Sequence, residues 1–174
     1  PVSAFCSIEK HPSAEPIPLW KTENPPNPCH CWKFIKTDHN KRLTLQKNRF
    51  YILRSIEKLA LLGGVAVYCR AIDETLGEMR IHYAGFVHPW FGRTRSDNQV
   101  GTPIIFEVRG HDVHTSLKEG DKMARLSFYR MSEDAEKGES SYEGQALQLS
   151  KYFGHWPDSI GVDGDGSVQA LEEV

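Results

Sequence analysis

The sequence predicts a mainly β protein: a distorted barrel or jelly-roll with one or two short helices. Three observations carry that expectation. Short runs rich in β-branched and aromatic residues recur at hairpin spacing from Arg42 onward. Six prolines between Pro12 and Pro28 (Pro12, Pro16, Pro18, Pro25, Pro26, Pro28) exclude helix from the first 31 residues. The 174 residues, 39% of them hydrophobic, suffice for one core and are too few to expect two.

Taken in order, residues 1–31 should form an extended arm or an edge element. The expected strands are Arg42–Gln46, Phe50–Leu53, Val65–Tyr68, Arg80–Tyr83, Ile104–Val108 and Ala124–Phe128, the last following Leu117 in a hairpin-like stretch. Ser55–Leu62 could form a helical turn or two, ended by Gly63 and Gly64. Residues 132–141 turn polar, and an ordered C-terminal arm is expected at 142–153, completing a β domain over 32–157. Residues 158–174 are mostly Gly, Asp, Glu and small side chains, with little to bury, and read as a disordered tail.

A formal net charge of −2 supplies no basic field for a nucleic-acid polymer. A single phosphorylated metabolite is compatible with it, since a few arginines can hold a triphosphate at near-zero overall charge. No apolar run approaches the length of a membrane span, and no signal-peptide pattern opens the chain. These absences favour a soluble cytoplasmic protein whose Cys6, Cys29, Cys31 and Cys69 are free thiols. A start at Pro1 rather than Met points to a processed or truncated chain.

Thr102–Arg109 reads as a buried strand that carries one carboxylate, Glu107, among apolar neighbours. Burial of this kind raises a carboxyl pKa and prepares such a group for proton transfer. Strand alternation sets Ile104, Phe106 and Val108 on one face and Ile105, Glu107 and Arg109 on the other. On that pattern alone a solvated surface strand is an equally good reading. His82–Gly92 is dense in aromatics, imidazoles and small residues suited to a base and sugar, although a Pro- and Gly-punctuated turn explains the bare pattern better. Arg80 and His82 fall on one side of their strand.

Two metal motifs fail on spacing. Cys29-His-Cys31 packs its donors too tightly for one zinc tetrahedron and has no second pair, while the His-x-Glu and Pro-Cys-x-x-Cys motifs of zinc nucleobase deaminases do not occur. Asp163, Asp165, Gly166 and Glu172 fall at EF-hand offsets, but the first ligand position is Gly161 and no exit helix follows.

Phe50-Tyr-Ile-Leu-Arg-Ser, Gly77-Glu-Met-Arg-Ile-His-Tyr-Ala-Gly-Phe, Pro103–Arg109, Gly120-Asp-Lys-Met-Ala-Arg-Leu, Tyr142-Glu-Gly-Gln and Leu149-Ser-Lys-Tyr-Phe, with Trp32 ahead of them, share order and spacing with one family. Over Trp32 to Phe153 the chain resembles the dCTP deaminase and dUTPase superfamily, and within it the second half of the long two-domain bacterial dCTP deaminase. The resemblance implies a dUTPase-like barrel assembled as a homotrimer with sites between subunits, and magnesium carried by the triphosphate without protein ligands or zinc. It implies conversion of dCTP to dUTP and ammonia, with hydrolysis of dUTP to dUMP and pyrophosphate as a further step. Glu107 matches the catalytic glutamate. Ala84 and Gly85 would lie beside the base and Ile105 against its ring; Arg70, Arg80, His82 and His88 would bind the nucleotide; Tyr142 and Gln145 would close over it.

This chain departs from the family pattern at three places. Val87-His88-Pro89-Trp90 replaces an Asp-Pro-Gly turn near the sugar. Cys69-Arg-Ala-Ile-Asp-Glu-Thr75 stands where short forms carry Arg-Ser-Ser-x-x-x-Arg, keeping Arg70 alone. Residues Arg93–Gln99 are inserted beside the turn. The rival readings are therefore a dUTP pyrophosphatase alone, a silent nucleotide-binding or trimerisation domain, and an interaction module exposing Trp90 and the inserted loop.

Overall fold

The computed structural model describes residues 4–7, 16–18, 20, 23–72, 79–82, 85–93, 101–110, 114–136, 152–155, 157 and 159–170. Among them are twelve strands and one short 3-10 turn, so the β expectation holds. The principal sheet has the order β2-β1-β4-β8-β6, built from β1 (Ala4–Ser7), β2 (Trp32–Ile35), β4 (Phe50–Leu59), β6 (Met79–His82) and β8 (Thr102–Gly110). A second sheet, β10-β5-β7, joins β5 (Val65–Ala71), β7 (Phe86–Val87) and β10 (Ala124–Arg130). Two-stranded ladders pair β3 (Arg42–Leu45) with β9 (Thr115–Lys118), and β11 (Ile160–Val162) with β12 (Val168–Ala170); every pairing is antiparallel.

The main core forms where three of these sheets turn their apolar faces together. β3 contributes Leu43 and Leu45, β4 Tyr51 and Leu53, β5 Cys69, β8 Phe106 and Val108, and β9 Leu117. Period-two alternation accounts for the choice, since Arg42 and Thr44 point outward between the two buried leucines of β3. Tyr51 is buried with its hydroxyl accepting the Gln46 N–H at 2.7 Å, so its polar end is satisfied inside the core. Leu61, Val67, Val87 and Phe91 make a second cluster at one end of the β5 sheet.

Four sequence expectations change. Ser55–Leu62 is not helical: β4 continues to Leu59, with a register shift between Arg54 and Lys58 where it pairs with β8. The Ser55 hydroxyl donates to Glu57 O at 2.6 Å and accepts the Ile104 N–H at 2.9 Å, holding the bulge. Pro103 sits opposite, on a part of β8 outside the β6 pairing, so its missing N–H costs no bond on that side. β9 and β10 do not form a hairpin. A turn at Glu119–Gly120, with Asp121 accepting the Lys118 N–H at 2.7 Å, sends the chain from the β3 ladder to the β5 sheet.

The N-terminal segment is no edge element either, because β1 pairs with β2 on one side and β4 on the other. Lastly, residues 160–170 form a hairpin where a disordered tail was expected. Asp163 Oδ1 accepts the N–H groups of Asp165 at 3.2 Å and Ser167 at 2.8 Å, folding the acidic turn on itself. Gly166 has φ +89°, and a Cβ there would strike the Phe34 carbonyl, so only glycine lets the turn lie against β2. Phe34 N–H donates to Gly166 O at 2.7 Å, and Lys33 pairs with Asp165 at 2.7 Å. The hairpin thereby covers an edge of the principal sheet that would otherwise present open backbone groups.

Candidate active site

β8 lies between β4 and β6, and its register fixes the surroundings of Glu107. Ile52 is the neighbour of Glu107 on β4 and His82 its neighbour on β6. One row along, Phe50 and Arg80 flank Arg109 in the same way. The predicted alternation of β8 is observed: Phe106 and Val108 enter the core, while Glu107 and Arg109 face outward.

Glu107 itself is exposed in the single chain, which corrects the expectation of a buried carboxylate. The outer face of β8 is only half covered. Cys31, Trp32 and Ile52 are buried there with Ile17, Phe50, Ile105 and Phe153 packed against them, and this apolar wall stops at Ile52 and Ile105. Trp32 meets the rings of Phe50 and Phe153 at centroid distances of 6.0 and 6.3 Å. The Arg109 guanidinium lies 5.8 Å over the Phe50 ring, at the border between wall and charge. Glu107 thus stands between an apolar surface on the β4 side and, on the β6 side, the strand positions of Arg80 and His82.

The indole N–H of Trp32 is buried and has no hydrogen-bond partner among the described residues. Such a donor is costly in a core and calls for a water or a ligand group. Sequence reasoning placed Trp32 in a shared pattern and gave it no role; only the packing of β2 beside β4 and β8 reveals it.

The remaining expected residues fall elsewhere. Arg70 is exposed on the outer face of β5, opposite Arg125 of β10. Gly85 O accepts the Cys69 N–H at 2.9 Å, which puts Gly85 at the β5 sheet, and exposed His88 meets Phe86 edge-on at 4.9 Å. Ala84, Tyr142 and Gln145 lie outside the described residues, as do residues 94–100 of the inserted loop. Since Leu53, Phe106 and Val108 of one sheet and Cys69 of the other share the core, Glu107 and Arg70 occupy opposite outer faces of the chain. One copy does not bring them together.

Trp90 belongs to the framework. It has φ +66°, its ring lies against Gly63 so closely that a Cβ would come within 2.7 Å, and its Nε1–H donates to Ala135 O at 2.8 Å. It is therefore half-buried, contrary to the exposed surface that an interaction module required. A groove of about 520 Å³ runs beside it, lined by Leu62, Val65, Phe128 and Tyr129. A smaller cavity of about 250 Å³ opens at the bulge, between Ser55, Ile104, Phe106, Met123 and Leu126. Neither contains Glu107.

Burial pushes the Cys69 thiol above its ordinary range, and the same cause, opposed by a backbone hydrogen bond, raises Cys29. Both are free and suited to packing rather than to nucleophilic attack. The Asp165 carboxyl is held well below the usual range by its hydrogen bond with the Asp163 side chain, then by Lys33 and Ser167. Both carboxylates of the acidic turn are thus engaged within the hairpin. Among the described residues no three His, Cys, Asp or Glu side chains converge on a metal position, and no helix is long and apolar enough to cross a membrane.

Residues 11–153 match the sequence profile of the 2'-deoxycytidine 5'-triphosphate deaminase (DCD) C-terminal domain. No curated protein matches the chain. Among solved structures, 2'-deoxycytidine 5'-triphosphate deaminase from Agrobacterium tumefaciens is similar at 34% identity and a TM-score of 0.53, over 61% of this chain and 31% of that one. The matched part is thus about a third of that protein's length. With a profile match over most of its residues and a solved relative that shares its β framework, the chain belongs to the family of 2'-deoxycytidine 5'-triphosphate deaminase C-terminal domains.

Proposed function

We propose that the chain supplies the catalytic strand of a nucleotide-pool hydrolase that deaminates dCTP to dUTP and ammonia without zinc. The observation that carries this reading is the position of Glu107 on β8, in register with Ile52 and His82, inside the segment that matches the family. Its carboxylate takes a proton from water as the hydroxide adds to C4 of cytosine and delivers it to N3; it then relays the proton of the new C4 hydroxyl to the amino group, so that the C4–N bond breaks, ammonia leaves and C4 becomes the carbonyl of uracil. Ile52, Ile105 and Trp32 offer an apolar wall for the pyrimidine. Ala84 and Gly85 read the base edge, Arg70, Arg80, His82 and His88 bind sugar and phosphates, and Tyr142 and Gln145 close over the nucleotide. Magnesium carried by the triphosphate would neutralise part of its charge, with no protein carboxylate required to hold it. Hydrolysis of the dUTP product to dUMP and pyrophosphate is a further step of the same site, in a soluble cytoplasmic enzyme.

The separation of Glu107 from Arg70 on opposite outer faces supports sites built between chains, as in a homotrimer. Exposure of Glu107 in one copy fits the same arrangement, because a neighbouring subunit would supply the missing cover and remove water from the carboxylate.

The test is to incubate the full chain with magnesium and dCTP, then dUTP, resolving nucleotides by chromatography and assaying ammonia. Ammonia released with dUTP or dUMP is expected, and Glu107→Gln should reduce turnover at least ~100-fold with nucleotide affinity kept. A second reading, a silent nucleotide-binding domain, is favoured by Arg70 standing without the paired serines of short forms. It predicts binding without product and no effect of Glu107→Gln.

A further inference from the structure

Arg125 has no role in the reading above, yet it is the cross-strand neighbour of Arg70 in the β10–β5 ladder. Both are exposed on the outer face of that sheet. Side chains directly opposed in an antiparallel pair have Cβ atoms about 5 Å apart, and like charges so placed oppose folding of the ladder. Elsewhere among the described residues, Lys33 and Lys41 are paired with Asp165 and Glu119. Neither Arg70 nor Arg125 has an acidic partner among those residues.

The next row of the same face is aromatic. Tyr68 lies opposite Ser127 on β10 and Phe86 on β7. Tyr68 is 45% exposed and Phe86 51%. Two planar guanidinium forks side by side match an oligophosphate, each able to donate bidentately to successive phosphate groups. An adjoining aromatic row suits the nucleoside attached to it.

We propose that Arg70 and Arg125 together form a cradle for the polyphosphate of a nucleoside triphosphate, with Tyr68 and Phe86 at its nucleoside end. The identity of the ligand rests on the deaminase reading; the existence of an oligophosphate site does not. The cradle also explains the retention of Arg70 without paired serines, because Arg125 provides the second set of donors from the neighbouring strand.

The full chain is titrated calorimetrically with inorganic tripolyphosphate, dCTP and deoxycytidine, as wild type, Arg125→Thr and Arg125→Lys. Threonine suits an exposed strand position and removes the charge. Arg125→Thr should weaken tripolyphosphate and dCTP binding at least ~10-fold, with Arg125→Lys intermediate and deoxycytidine unaffected. The ligand-free Tm of Arg125→Thr should equal or exceed that of wild type, since a like-charge contact is lost. Absence of tripolyphosphate binding by wild type, equal affinity in Arg125→Thr, or a fall in its ligand-free Tm alongside affinity would overturn the proposal. If dCTP gives no product but tripolyphosphate affinity still depends on Arg125, the cradle stands and the deaminase reading falls.

Discussion

Glu107 has unlike neighbours on its two sides, and each side tests a different property. Towards β4 the wall is centred on Trp32, whose indole N–H is buried without a partner among the described residues. Trp32→Phe removes that donor and keeps an aromatic ring. Urea unfolding should therefore show a change of less than ~1 kcal/mol, whereas Trp32→Ala, which empties the wall, should cost about 3–5 kcal/mol. A Trp32→Phe loss comparable with Trp32→Ala would mean that the N–H has a partner in solution. If a nucleotide accepts from this group, Trp32→Phe should also raise KM with little effect on kcat.

At the scale of elements, the 160–170 hairpin makes the clearest predictions. Gly166→Ala places a methyl against the Phe34 carbonyl at φ +89°, and should release the hairpin from β2 at a cost of roughly 1–3 kcal/mol. Loss of amide-exchange protection at Phe34 and Ser167 would report it. Because the folded pKa of Asp165 is depressed, its contribution is fully present above the unfolded value near ~3.9 and is lost as pH falls below it towards the folded value. Asp165→Asn should thus destabilise hairpin docking at pH 7 and make progressively less difference below about pH 4. A constant difference down to pH 2 would contradict this linkage. Side chains that alternate along one strand were readable from sequence: Phe106 and Val108 against Glu107 and Arg109, Leu43 and Leu45 against Arg42 and Thr44. Interactions between distant segments were not. The hairpin needs Phe34 and Lys33, over 130 residues away, and the strand through Ser55 and Ile56 needs Pro103 and Ile104 to pair with its bulge. Local propensity cannot weigh partners so remote, which is why a tail and a helical turn were expected there. For the site, the position of Glu107 was legible while its exposure was not, because cover depends on which segments reach the outer face of β8.

For the whole molecule, the two outer faces impose a rule on how activity can be lost and regained. If a site combines Glu107 of one copy with Arg70 of another, Glu107→Gln and Arg70→Ala chains should each be inactive alone. Unfolded together and reassembled in equal amounts, they should recover activity at about a quarter of the wild-type sites, as random pairing of two chain types requires. No recovery from well-folded mixed oligomers would place both residues' work within one chain or assign Arg70 to another task.

The interior position of β1 carries a further consequence. It precedes its partners β2 and β4, which begin at Trp32 and Phe50, so during synthesis it must wait for both before it can be enclosed. A cut within β1 would therefore open the middle of the principal sheet rather than its margin. Excising Ala4–Ser7 would separate β2 from β4, and with β2 would go Trp32: the wall beside Glu107 hangs on a strand of four residues well ahead of it in the chain.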